Sequence, residues 1–312
     1  THVAIDIGAS SGRHVLGWLE NGKICLREMY RFENGADLKN GHLYWDHARL
    51  EREIVNGLRA CHEAGECPET VGIDTWGVDY ALLDASGALT GDTAAYRDSR
   101  TAGIPDTLDD DALYAVTGIQ RQPFNTLYQL LADKRDRPES LEKAERLLFM
   151  PEYLAYVLSG RMENEYTIAS TSGLLDAQKR DWAWALIDFL GLPRRLFGPL
   201  RQPGFSLGRV RPEIAREIGF APEVILPPAH DTAAAVLGAP LEAGDAFLSS
   251  GTWSLLGAEI DAPVLTRDAR LKGLTNEGGV AGTYRFLKNI MGLWIIQNIR
   301  RELPGKPSFG DM

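Results

Sequence analysis

The chain has 312 residues, 44% hydrophobic, with a formal net charge of −10 and no basic cluster to offset it. Such a composition suits a soluble protein long enough for two globular domains and gives nucleic acid or an anionic membrane little to attract. No uninterrupted apolar run approaches a membrane span, no basic-then-apolar leader precedes the first strand, and three cysteines suit reduced thiols; a cytoplasmic enzyme is expected.

Val3 to Ile7 reads as a buried strand, and after a Gly8 to Arg13 turn Val15 to Leu19 alternates again. Asn21-Gly22 signals a tight hairpin into a third strand, Ile24 to Phe32. Asp46 is placed to cap a helix with Leu50, Ile54, Leu58 and Cys61 on one face and Glu51, Arg52, Glu53 and Arg59 turned away. Val71 to Asp74 and Val78 to Leu83 resume strand character, giving a βββαβ unit. From Asp106 helices are expected over Leu127 to Lys134, Leu141 to Met150, Pro151 to about Gly160, and Trp182 to Leu190. A Pro-rich strand then leads to His230-Asp231. A second small-residue turn, Ser249 to Ser254, joins Ala246 to Leu248 to a strand over Leu255 to Ile260, with a domain boundary near Gly238-Ala239-Pro240.

The first small-residue loop joins strand to strand and has no Lys, so it is not the strand-to-helix phosphate loop of Rossmann or Walker sites. Phosphoryl transfer to an alcohol needs donors around the phosphates, a divalent cation and a base near the hydroxyl. Ala9, Ser10, Ser11, Gly12 and Arg13 could supply the donors, Thr252 more from the second loop, and Asp6 an anchor for Mg²⁺ or merely a cap for the turn. Asp231 is the candidate base, with helix N-capping as its bland role, and His230 either assists or only spaces it. The mixture of carboxylates, indole and glycine in Asp74 to Asp79 suits a sugar. Tyr96 to Arg100 and Pro123 to Gln129 add hydroxyl-binding groups or plain salt-bridged surface. Cys61, His62 and Cys67 lack a fourth ligand at zinc spacing.

DIGASSGR, GIDTWGVD, AYRDSR, PFNTLYQL, PAHDTAAAV, SSGTWSL and TNEGG with KNIMGLW, in this order along the whole chain, resemble the FGGY carbohydrate kinases. DTWGVD, YRDSR and LKNIMGLW bring the chain nearest to the branch acting on L-rhamnulose. The resemblance implies an α/β, actin-like ATPase (ribonuclease H-like) fold of two domains. A complete N-terminal sugar- and phosphate-binding domain is expected over 1–238 and a partial ATP-binding domain over 239–312, the sequence being C-terminally incomplete against the family pattern. It implies ATP phosphates on Ala9 to Arg13 and Thr252, and the nucleotide also on Gln297. The sugar is implied near Gly77, His230, Asp231, Thr232 and Asn289, with Asp231 as proton acceptor. The implied reaction is L-rhamnulose plus MgATP giving L-rhamnulose 1-phosphate plus ADP. The alternatives are a kinase for fuculose, xylulose or ribulose, or a non-catalytic sugar-binding module of the same fold.

Overall fold

The computed structural model describes residues 1–251, 253–305 and 307–308, without the side chains of 294, 297, 298 and 301. Three antiparallel strands open the chain: β1 (His2–Ile7), β2 (Ser11–Glu20) and β3 (Lys23–Glu33). Asn21 and Gly22 both adopt positive φ, 50° and 75°, as a tight primed turn requires. Helix α1 (His47–Glu63) begins where the Asp46 carboxylate accepts the Arg49 amide at 3.0 Å, and it buries Leu50, Ile54, Leu58 and Cys61 as one stripe. The chain then returns as β4 (Thr70–Thr75), parallel to β1 with Asp6 opposite Asp74.

Helices α2 (Thr126–Asp136) and α3 (Met150–Ser159) lie in the long excursion before β5 (Ser206–Arg209) and β6 (Glu223–Ile225) complete a six-stranded sheet in the order β5-β6-β4-β1-β2-β3. Val3, Ile5, Ile7, Val71 and Ile73 face α1 and α3 in its core. Each such buried side chain is worth about 1.5–3 kcal/mol, so this layer holds the strand ends in fixed relation. A second core, around Leu130, Leu147, Phe149, Ile168 and Trp182, supports the excursion.

Two sequence expectations need correction. Leu141 to Met150 is not one helix: a short helix over Pro138–Lys143 gives way to a strand, Arg146–Phe149, paired with Tyr80–Leu83. Leu147, Leu148 and Phe149 are buried on both faces, a run whose periodicity does not separate strand from helix. The helix expected from Trp182 starts only at Trp184, because Trp182 pairs with Leu175 and donates its indole N–H to the Gly198 carbonyl at 2.7 Å.

Helix α4 (Asp231–Gly238) leads into a second, antiparallel sheet of β7 (Ala246–Ser250), β8 (Trp253–Ile260), β9 (Thr275–Gly278) and β10 (Tyr284–Met291), ordered β7-β8-β10-β9. KNIM therefore belongs to β10, and helix α5 (Trp294–Glu302) follows only after it. This sheet docks on the first unit through Arg270 with Asp110 and Asp111, the Gly278 amide on Ser170 Oγ at 2.7 Å, and Arg180 Nε on the Tyr284 hydroxyl at 3.0 Å. Among the described residues no helix is long and apolar enough to cross a membrane.

Candidate active site

Three carboxylates meet at the C-terminal edge of the six-stranded sheet. Asp6 and Asp74 end neighbouring parallel strands, and the Thr75 amide donates to the Ala229 carbonyl at 3.0 Å, which carries the next segment alongside and delivers Asp231 to the same edge. Parallel strands leave their carboxyl ends free for ligands, since the connections run away from that edge. Asp74 is buried, and burial first, then the charges of Asp6 and Asp231, hold its carboxyl well above the usual range. Arg13, on β2, ion-pairs with Asp6 at 2.8 Å.

The first turn is tighter than expected. The Gly8 amide donates to Ser11 O at 2.9 Å, Asn34 donates to Gly8 O at 2.8 Å, and β2 already begins at Ser11. Lying between β1 and β3, Gly12 and Arg13 have their backbone groups engaged by the ladders, which leaves the amide cradle to Ala9 and Ser10 and places Arg13's contribution in its guanidinium. Gly12 is required for packing: a β-carbon there would fall 2.2 Å from the Phe32 ring.

Asp231 stands at the first position of α4, with His230 as N-cap residue, so it does not cap the helix. Its Oδ1 accepts from the Thr232 amide at 2.6 Å and the Thr232 hydroxyl at 3.2 Å and lies 3.3 Å from His230 Nε2. Among the described residues its Oδ2 has no hydrogen-bond partner, and the side chain is 40% exposed. The backbone before it is clamped from beneath: buried Glu165 accepts from the Ala229 amide at 3.1 Å and from the Thr167 amide at 2.8 Å. A carboxylate with one oxygen tied and the other open is arranged to take a proton.

Gly77 meets this segment from the other side. Any β-carbon at Gly77 would lie 3.3 Å from both His230 Nε2 and Thr171 Oγ1. Val78 follows at φ 67°, an outlier for a β-branched residue. Its amide donates to Thr171 Oγ1 at 3.2 Å and its carbonyl accepts from Thr126 at 2.7 Å, so side chains on two separate segments hold the strained turn. Asp79 is turned away from any ligand: its carboxylate accepts from Trp45 Nε1 (2.6 Å), Trp76 Nε1 (3.0 Å), the Tyr96 amide (3.0 Å) and Gln129 (2.9 Å). Asp98 and Arg100 are likewise engaged within the protein, on the Leu43 amide and on buried Asp133.

Through Tyr96, whose amide donates to Asp79, the segment after this turn adjoins a cavity of about 420 Å³ with Tyr96, Arg97, Gln122, Phe124 and Trp253 among its lining. Phe124 bridges the two units, its ring 6.0 Å from Tyr96 and 5.9 Å from Trp253. Aromatic faces with a few polar tips are what a sugar's apolar face and hydroxyls require.

Asp6, His230, Asp231, Thr232 and Gly77 are therefore brought to one edge. Asn289 lies on β10 two pleats beyond Arg285 and on the same face, the one that reaches His230. Thr252 and the side chain of Gln297 lie outside the described residues. Among the described residues no group of three or more His, Cys, Asp or Glu side chains is arranged to hold a metal ion. Mg²⁺ bound with a nucleotide needs only one or two carboxylates, so the donor set at Asp6 fits it. Sequence reasoning missed Thr171, Trp253, Glu277 and Arg285, of which only Trp253 stood inside a motif singled out for its chemistry.

Residues 1–238 match the N-terminal domain of the FGGY family of carbohydrate kinases. The chain is 43% identical over 314 residues to a rhamnulokinase of Oceanobacillus iheyensis and 45% identical over 314 residues to one of Halalkalibacterium halodurans, in each case over 99% of this chain and 67% of the relative. A rhamnulokinase of Pectobacterium carotovorum is 46% identical over 96% of this chain and 61% of its own length. The chain thus spans about two thirds of the length of these curated relatives. Among solved structures, a ligand-bound xylulose kinase from Lactobacillus acidophilus superposes with a TM-score of 0.83 at 17% identity, covering 97% of this chain and 62% of that one. Plasmodium falciparum glycerol kinase with ADP gives 0.78 at 15% identity, covering 98% and 65%. At such identities the likeness speaks for fold alone, the actin-like, ribonuclease H-like α/β fold.

Proposed function

The chain belongs to the FGGY family of carbohydrate kinases, and from that premise we propose that the full-length protein transfers the γ-phosphoryl group of ATP to L-rhamnulose, giving L-rhamnulose 1-phosphate and ADP. The observation that carries this reading is Asp231, tied through Oδ1 and open at Oδ2, beside the strained Gly77-Val78 turn. The relatives named rhamnulokinase, 43–46% identical, support the choice of sugar.

In this reading Asp231 Oδ2 accepts the proton of the sugar hydroxyl as its oxygen attacks the γ-phosphorus and the bond to ADP breaks. Gly77, His230, Thr232 and Asn289 bind the sugar, with the Tyr96, Phe124 and Trp253 rings against its apolar face. The amides of Ala9 and Ser10, the Ser11 hydroxyl, the Arg13 guanidinium and Thr252 hold the phosphates, with Gly12 allowing the close packing of this turn, and Gln297 contacts the nucleotide. Asp6 would hold Mg²⁺, which neutralises charge on the phosphate oxygens. The sugar- and phosphate-binding domain is 1–238 and the ATP-binding part begins at 239; their closure would exclude water. A cytoplasmic location belongs to the same proposal.

The test is a coupled ADP-release assay on the full-length protein with L-rhamnulose, fuculose, xylulose and ribulose. L-Rhamnulose is expected to give the highest kcat/KM by roughly tenfold or more, a preference of about 1.4 kcal/mol. A higher value for another ketose overturns the choice of sugar, and no phosphorylation of any overturns the kinase reading.

A further inference from the structure

Glu277 on β9 and Arg285 on β10 stand opposite each other in the second sheet, and both are buried. A buried ion pair seldom improves on an apolar pair for stability, because taking two charges out of water offsets their attraction. Its placement here has a direction. Arg285 Nε donates to Gly278 O at 3.0 Å and Nη1 reaches out of the sheet to His230 Nδ1 at 3.1 Å, with Glu277 Oε2 3.1 Å from the same nitrogen of Arg285. Arginine only donates, so His230 Nδ1 accepts and the neutral ring carries its proton on Nε2. That N–H lies 3.3 Å from Asp231 Oδ1.

We propose that Arg285 and Glu277 are a positioning pair that selects the tautomer of His230, sets its Nε2–H on the Oδ1 side of Asp231 and so leaves Oδ2 as the oxygen that takes the substrate proton. The inference rests on the kinase reading through the role of Asp231. Because the pair is carried by the second sheet while His230 and Asp231 end the first, the base is correctly aimed only while that sheet is docked. Glu277 Oε2 lies 3.3 Å from His230 Nδ1 and 3.1 Å from Arg285 Nη1, so it is the competing site for the ring proton; in the proposal it balances the guanidinium charge and the proton stays on Nε2.

Two measurements test this. In ¹⁵N-histidine-labelled protein at pH 8.5, with the His230 signals assigned by their loss in H230N, Nε2 is expected to be protonated and Nδ1 bare. A proton on Nδ1 overturns the proposal, and this readout needs no altered pair. In the full-length protein the paired replacement E277L/R285M removes both charges together, leaving no orphan charge in the core. Its kcat for L-rhamnulose is expected to fall roughly 10–100-fold, the usual effect of losing a group that orients a reacting one, with the sugar KM within about threefold. A wild-type kcat in this variant overturns the proposal. If the unaltered protein phosphorylates no ketose, the kinase reading fails, while the histidine spectrum still judges the pair by itself.

Discussion

Gly77 and His230 are neighbours with no room between them: a single methyl on Gly77 would come within 3.3 Å of the imidazole Nε2. That nitrogen is the one facing Asp231, and the ring is held from behind by Arg285 and cannot retreat. G77A therefore has to displace either His230 or Thr171. The expected result is a rise of roughly tenfold in the KM for the sugar, about 1.4 kcal/mol of lost binding, with the KM for ATP unchanged, read from initial rates at varied concentrations of each substrate.

Asp74 gives a stability prediction whose sign follows from its raised proton affinity, caused by burial and by the charges of Asp6 and Asp231. The native carboxyl keeps its proton where the unfolded chain releases it, so its contribution to stability declines as pH rises above the ordinary carboxylate range. D74N removes that decline. Melting temperatures at pH 5 and pH 8 are expected to show D74N gaining on the unaltered protein as pH rises; a gap that does not change with pH contradicts the raised proton affinity of Asp74.

His14 and His47 act in the opposite pH range. Burial, the leading cause in both, lowers each imidazole from 6.5 to about 4. Between those values the unfolded chain takes a proton that the native state refuses, so stability is whole above pH 6.5 and is lost as pH falls toward 4. By pH 5 the loss is about 2 kcal/mol per histidine. Urea unfolding at pH 7.5 and 5.0 is expected to show a much smaller drop for H14Q/H47Q than for the unaltered protein; equal drops contradict this origin.

The N-terminal architecture was legible because its signals are local. Alternation, the Asn21-Gly22 turn, the Asp46 cap and the α1 stripe are each settled within a few residues. Leu147 to Phe149 was not, since a run buried on both faces has no period to read. The residues proposed for the site could be singled out from their chemistry, but their supports could not: Thr171, Glu165 and Arg285 reach them across sequence separations of 55 or more, and only the docking of elements makes them neighbours. Asp79 misled for a related reason. A carboxylate in a sugar-like motif reads as a ligand group, whereas four donors from its own chain occupy it.

The role of Asp231 is tested most directly by D231N in the full-length protein, with kcat for L-rhamnulose and the sugar dissociation constant measured side by side. Asparagine keeps an oxygen for the Thr232 amide but cannot take a proton. The expected outcome is a kcat lowered by ~10²–10⁴ with sugar affinity within about threefold. Turnover equal to that of the unaltered protein would contradict the account.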